Sequence, residues 1–192
     1  MRLALFGGTF DQIHAGHLIL AREARETLGL DEVIFIPAAL SPHKLDTAPT
    51  PPSVRWAMLC AAVAGEPGFR ADDLELHRPG PSFTFDTVME YRRRYPQAEL
   101  FYFIGQDHLA KLPTWHRIDE LRQMVTLIVL GRAVENAAAH EVCISRRIDI
   151  SATDIRNRVA KGLSIRYLVP EQVADLIQKH HLYLESPTSL GT

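Results

Sequence analysis

Cysteine is scarce in this chain of 192 residues: Cys60 and Cys143 are the only two, and two thiols make no disulfide framework. Cys60 sits in "WAMLCAAVA", which reads as a buried helix, and Cys143 in a short apolar run. Both read as packed free thiols of a reducing compartment. No apolar run approaches the roughly 20 residues that span a bilayer, and the first residues read as a strand rather than a signal peptide. The cytoplasm is therefore the expected compartment, with no membrane partner. An excess of one charge is missing too. The formal net charge of -2 argues against a broad nucleic-acid footprint and leaves room only for a local basic pocket. Internal repeats and low-complexity blocks are absent.

Two further absences fall in the opening stretch, "LALFGGTFDQIHAGH". Gly7-Gly8 follows an apolar strand but lacks the lysine of a P-loop, and the spacing also fails the dinucleotide G-x-G-x-x-G fingerprint. His14 and His17 have no obvious third metal ligand beside them.

What is present is enough apolar mass for a real core, 46% of residues, on a length that predicts one domain over 1–185 and a loose tail over 186–192. Strand-like and helix-like runs alternate. "RLALF", "EVIFIP", "ELFYFIG" and "MVTLIVLGR" read as buried strands, with a short strand near Phe69 and another in "VCISRRIDI". Leu18, Leu20, Ala21, Ala24 and Leu28 recur at helical spacing until Gly29 stops them. "SVRWAMLCAAVA" reads as a helix, and "FTFDTVMEYRRRY" as an amphipathic one begun at Thr84 or Ser82. Asp107 opens a short helical segment that Pro113 breaks. "AVENAAAHE" reads as a loop or frayed helix. "SATDIRNRVAKG" starts a helix at Ser151 or Thr153 and stops at Gly162, and "VPEQVADLIQKHHLY" makes the last helix, with Pro170 in its first turn.

Strands separated by helical crossovers predict an α/β fold, a mostly parallel sheet with helices on both faces and a C-terminal helical segment. Such sheets bind ligands outside the carboxyl ends of their strands, where strand order reverses. Gly7-Gly8, Ala38 to Lys44, Gly105 to Asp107, Arg132, and Ser151 to Arg156 all fall at predicted strand ends.

Gly7 and Gly8 let a backbone turn sharply and come close to a phosphate; the plainer reading is a strand-to-helix turn and nothing more. His14 and His17, three apart, share one face of a first helical turn. Surface residues, caps and metal ligands all remain open for them, and other histidines (His43, His77, His108, His116) leave a metal site open. Imidazoles beside a glycine turn at a helix N-terminus also suit a polyphosphate whose charge rises in the transition state. In "ISATDIR", Ser151, Thr153 and Arg156 gather hydroxyls, backbone N–H groups and a guanidinium, which makes either an anion site or an ordinary cap with a solvated arginine. Lys44, in a proline-rich loop, reads either as another phosphate contact or as a solvated surface charge, the second favoured without a partner motif.

Taken in order, these motifs resemble the nucleotidylyltransferase superfamily, with "GGTFDQIHAGHL" similar to its G-G-[ST]-F-D-P-x-H-x-G-H and "ISATDIR" to its I-S-x-T-x-[IL]-R. "SPHK", "PSFTFDT", "FIGQD" and "LPTWHRIDEL" extend the likeness to the bacterial nicotinate mononucleotide adenylyltransferases over residues 1 to about 185. The resemblance implies a Rossmann-like, doubly wound fold. It also implies transfer of the adenylyl group of ATP to nicotinate mononucleotide with Mg²⁺, giving deamido-NAD and pyrophosphate. It carries Gly7, Gly8, Thr9, Phe10, His14 and His17 to the ATP site, with the two histidines on the transferring phosphoryl group. Ser151, Thr153 and Arg156 go to the leaving phosphates, and Gly105 and Asp107 to ribose. Lys44 balances phosphate charge, Trp115 stacks on the pyridine ring, and Thr84, His116 and Arg132 complete the mononucleotide site.

Two residues depart from the pattern. Gln12 stands where the family form has proline, and His116 where many relatives have tyrosine. Rival readings are the same fold acting on nicotinamide mononucleotide or another phosphorylated acceptor, a zinc hydrolase built on the histidines, and a silent nucleotide-binding regulator. The sequence leaves a homo-oligomer open.

Overall fold

The computed structural model describes residues 1–40, 49–131 and 142–184. Its sheet is built from β1 (Arg2–Gly8), β2 (Glu32–Pro37), β3 (Phe69–Ala71), β4 (Glu99–Gly105), β5 (Thr126–Gly131) and β6 (Val142–Ser145). All five pairings are parallel, so the expected mostly parallel sheet is wholly so among the described residues. The spatial order is β3-β2-β1-β4-β5-β6, and it reverses between β1 and β4.

Both faces of the sheet are covered, which is why its central strands are continuous apolar runs rather than alternating ones. Leu3, Leu5, Ile34, Ile36, Leu100 and Val129 point into one layer with α3 (Thr84–Arg94) and α4 (Ile118–Met124), through Phe85, Val88, Tyr91 and Leu121. The alternate positions Ala4, Val33, Phe35, Phe101, Phe103 and Ile128 face the other layer. There they meet α1 (Ala15–Leu28), α2 (Pro52–Val63), α5 (Ala152–Ala160) and α6 (Glu171–Lys179). Parallel register sets Leu5 beside both Ile34 and Tyr102, so the residues of one face line up across three strands.

Gly29 ends α1 in the left-handed region (φ 58°), its N–H returning to Arg25 and Glu26 carbonyls. Ser151 caps α5 by accepting from the Asp154 N–H at 3.1 Å, and Pro170 stands just before α6. α3 starts at Thr84, one of the two residues expected, but neither Thr84 nor Ser82 is its cap. Phe83 holds the cap position, because Ser82 Oγ instead accepts from the Ala39 N–H at 3.1 Å across to the end of β2. Pro113 does not break the segment after β4. A 3-10 helix runs from Gln106 to Thr114, and after the donor missing at Pro113 the Trp115 N–H resumes the pattern on Leu112. The seven-residue α4 and a 3-10 turn at Leu74–His77 had no counterpart in the sequence reading. Neither Cys60 nor Cys143 forms a disulfide among the described residues. The loop or frayed helix read at "AVENAAAHE" and the tail after Glu185 lie outside the described residues.

Candidate active site

A cavity of about 1400 Å³ opens at the carboxyl ends of β1, β4 and β5, over the point where strand order reverses. Its floor includes Gly7, Gly8 and Gly105. A side chain at position 7 would overlap the Tyr102 hydroxyl, and one at position 8 would stand 3.2 Å from the Phe10 ring. Close approach rather than an unusual φ thus requires glycine at position 7, and at position 8 a Cβ would press on the Phe10 ring. Phe10 itself is left-handed (φ 45°) and buried, edge-on to Phe6 at 5.4 Å and to His17 at 5.3 Å.

His14 is the cap residue of α1, one position before the helical turn in which it was placed by spacing. Its ring stacks on that of His17, centroids 3.7 Å apart and 25° from parallel. The His14 backbone N–H donates to His17 Nδ1 at 3.3 Å, so a neutral His17 carries its proton on Nε2. Gly16, between the histidines, completes the arrangement, since a Cβ there would lie 3.1 Å from His14 Nδ1 and Cε1. Burial pushes the His14 pKa down to about 4, so its ring is neutral at pH 7.

Arg156, on the second turn of α5, crosses to the β1–α1 loop. One of its nitrogens donates to the Asp11 carbonyl at 2.5 Å and the other to Thr153 Oγ1 at 3.1 Å. Ser151, Thr153 and Arg156 thus share the cavity wall with His14 and His17, although more than 130 positions separate them in the chain. Asp11 is held from behind. The Tyr183 hydroxyl donates to Oδ1 at 2.5 Å and the Thr50 N–H to Oδ2 at 3.0 Å. Burial raises its pKa, but these bonds and the Arg156 charge outweigh it and keep the carboxyl below its ordinary range.

At the other end of the cavity, Thr84 opens α3 and donates from Oγ1 to the Tyr102 hydroxyl at 3.2 Å. Trp115 stands edge-on to Tyr102 at 6.2 Å, and the exposed His116 packs its ring 4.7 Å from Phe83. Buried Glu75 accepts from Thr87 Oγ1 at 2.6 Å in the same wall, and burial raises its pKa. Asp107, exposed, follows β4 at the rim. Of the residues chosen from sequence, Lys44 and Arg132 lie outside the described residues, and all the others line this cavity. Missed were Tyr102, Glu75, Asp11, Arg55, Thr50 and Tyr183. Asp11 alone had a signal, lying inside the opening motif. Among the described residues, no group of three or more His, Cys, Asp or Glu side chains is placed to hold a metal ion. None of the described helices is long and apolar enough to cross a membrane.

The model of the cytidylyltransferase-like family matches residues 5–158, which takes in the glycine turn, both histidines and Arg156. The chain belongs to the cytidylyltransferase-like family. Two curated members are similar over nearly the whole length. One from Thermus thermophilus is 44% identical over 187 residues, covering 95% of this chain and 100% of the relative. One from Exiguobacterium sibiricum is 42% identical over 188 residues, covering 95% and 99%. Both carry the name probable nicotinate-nucleotide adenylyltransferase. The fold matches that of the Plasmodium falciparum nicotinic acid mononucleotide adenylyltransferase complexed with NaAD, with a TM-score of 0.79 at 17% identity, over 95% of this chain and 97% of that one. In this family fold, the matched segment ends within α5, so α6 and Tyr183 lie beyond it.

Proposed function

We infer that this protein transfers the adenylyl group of ATP to nicotinate mononucleotide, giving deamido-NAD and pyrophosphate for NAD biosynthesis. The observation that carries the reading is one cavity with two unlike ends. Stacked imidazoles, a glycine turn and Arg156 stand at one end, and an indole beside the start of α3 at the other.

The residue roles follow from that polarity. The acceptor's phosphate oxygen is anionic at neutral pH, so it attacks the α-phosphorus without a general base, and the bond to the β-phosphate breaks to release pyrophosphate. We assign neutral His14 and the His17 Nε2–H to the α-phosphoryl oxygens, where charge grows in the transition state. Ser151, Thr153 and Arg156 take the leaving β- and γ-phosphates, and the backbone of Gly7, Gly8, Thr9 and Phe10 lets the triphosphate lie close. Gly105 and Asp107 face ribose. Trp115 stacks on the pyridine ring, with backbone groups at Thr84 and His116 on its carboxylate. Lys44 and Arg132 are assigned to phosphate and mononucleotide by family likeness alone. Magnesium enters as MgATP. The donor set fits an ion held by phosphate oxygens and water, because the cavity offers scattered carboxylates such as Asp107 and Glu75 rather than a cage. Residues 1–185 act as one cytoplasmic domain in this reading.

Pyrophosphate release from ATP, measured against a panel of acceptors that includes both pyridine mononucleotides, tests the reading. Nicotinate mononucleotide is expected to give the highest kcat/KM. A preference for nicotinamide mononucleotide, or ATP binding with no turnover on any acceptor, would overturn it.

A further inference from the structure

We propose that Tyr183, beyond the last helix, is a positioning residue for the triphosphate end of the cavity, acting with Arg55 through the turn that carries Thr9 and Asp11. The proposal takes from the functional reading only that ATP phosphates occupy this end.

After α6, the left-handed residues His181 (φ 49°) and Tyr183 (φ 59°) turn the chain back toward the sheet. The Tyr183 hydroxyl then sits between two partners, donating to Asp11 Oδ1 at 2.5 Å and accepting from Thr50 Oγ1 at 3.2 Å. Burial and the bond to Asp11 both raise its pKa, so it stays a donor. Thr50 closes a ring of contacts by donating its N–H to Asp11 Oδ2 at 3.0 Å.

Arg55 holds the same turn from α2. Its side chain is wholly buried, with Nε donating to the Thr50 carbonyl at 2.9 Å and one terminal nitrogen to the Thr9 carbonyl at 2.7 Å. A guanidinium is a costly group to bury, and its placement is explained by two backbone carbonyls that no helix or sheet ladder satisfies. Thr9 and Asp11, on either side of Phe10, are thus fixed by parts of the chain 46 and 172 positions away.

The cavity face of this turn meets the phosphate site. The Asp11 carbonyl is where Arg156 rests, and the turn leads from Gly7-Gly8 directly to His14. Removing the Tyr183 hydroxyl takes a donor from a half-buried carboxylate and an acceptor from Thr50, and frees the turn under Arg156. No bond of this set reaches Thr84, Trp115 or Tyr102 at the acceptor end.

Tyr183→Phe separates positioning from mere stability. The expected result is an ATP KM raised about tenfold, the size of one lost hydrogen bond to a charged group, with the mononucleotide KM within about twofold of wild type. Asp11→Asn, which leaves one acceptor oxygen for the two donors of Thr50 and Tyr183 and removes the charge, is expected to show the same split. The double variant should fall short of the product of the two single effects, as members of one network do. Calorimetric titration with the α,β-methylene analogue of ATP, without acceptor, reads the same loss directly on folded protein checked by thermal melting. Unchanged analogue affinity in Tyr183→Phe, or an equal rise in both KM values, would overturn the clamp while the functional reading stands. A wild-type chain that does not bind the analogue would overturn that reading and the clamp with it.

Discussion

The Tyr102 hydroxyl fills the space that any side chain at position 7 would need. Tyr102 rises from β4 beside Leu5 of β1, and its oxygen ends against Gly7, where it also accepts from Thr84. Gly7→Ala is therefore expected to push the two central strands apart at the cavity floor and to lower kcat/KM by about a hundredfold, with a stability loss of about 1–3 kcal/mol. Tyr102→Phe in the same chain leaves ring carbon Cζ at 3.1 Å and should restore a large part of both. Steady-state rates and urea unfolding of the two variants check this. A double variant no better than Gly7→Ala would place the cause elsewhere.

His17 is held by the His14 backbone N–H and by stacking on the His14 ring, so its donor is set before substrate arrives. His17→Ala should lower kcat by about two to three orders of magnitude, the usual loss for a preorganised contact to developing charge. Pyrophosphate release under saturating substrates measures it, and a near-wild-type kcat would take His17 out of the chemistry.

Burial gives His14 a pKa of about 4 in the folded chain against an ordinary value of 6.5. The unfolded chain then binds more protons than the folded one between those values, so stability present above pH 6.5 is lost as pH falls toward 4. The difference amounts to about 3 kcal/mol for this one ring. His14→Asn, a residue suited to the cap position that cannot titrate, should flatten the profile by that amount. Parallel urea-unfolding profiles for wild type and variant between pH 7 and 4.5 would contradict it.

Trp115 lines the acceptor end, edge-on to Tyr102. Trp115→Ala should raise the KM for the mononucleotide about tenfold, as loss of a ring stack does, and leave the ATP KM unchanged. Initial rates with each substrate varied in turn decide it, and an unaltered mononucleotide KM would sink the stacking role.

Gln12, one of the two residues that depart from the family pattern, is fully buried, and neither amide atom has a partner among the described residues. A desolvated amide with no partner costs about 1–3 kcal/mol, so the near-isosteric Gln12→Met should raise the melting temperature by a few degrees. A lower melting temperature in differential scanning calorimetry would show that the amide is engaged after all.

Sequence reading reached the sheet because β1, β2, β4 and β5 are buried runs closed by glycine or proline, a signal that parallel packing enforces. The histidines, Ser151 and Arg156 were legible because the chemistry that needs them sets their local spacing. The clamp was not. Arg55 sits in "SVRWAMLC" like any helix arginine, and nothing near Tyr183 announces a partner 172 positions away. Local pattern also misplaced the cap of α3. Ser82 has the right chemistry for the role, but a competing partner at Ala39 takes its oxygen. Short elements such as α4 carry too few turns to show a period.

The reversal of strand order between β1 and β4 divides labour within the cavity. Its floor belongs to the two strands most deeply enclosed, and displacement there is felt throughout both layers. The acceptor wall is made of the start of α3 and the 3-10 helix before Trp115 rather than of the strands themselves. A lineage could reshape that wall, residue by residue, and so change which phosphorylated molecule is accepted without retuning the machinery that handles the triphosphate. Substrate range and reaction type are, in this architecture, separately heritable.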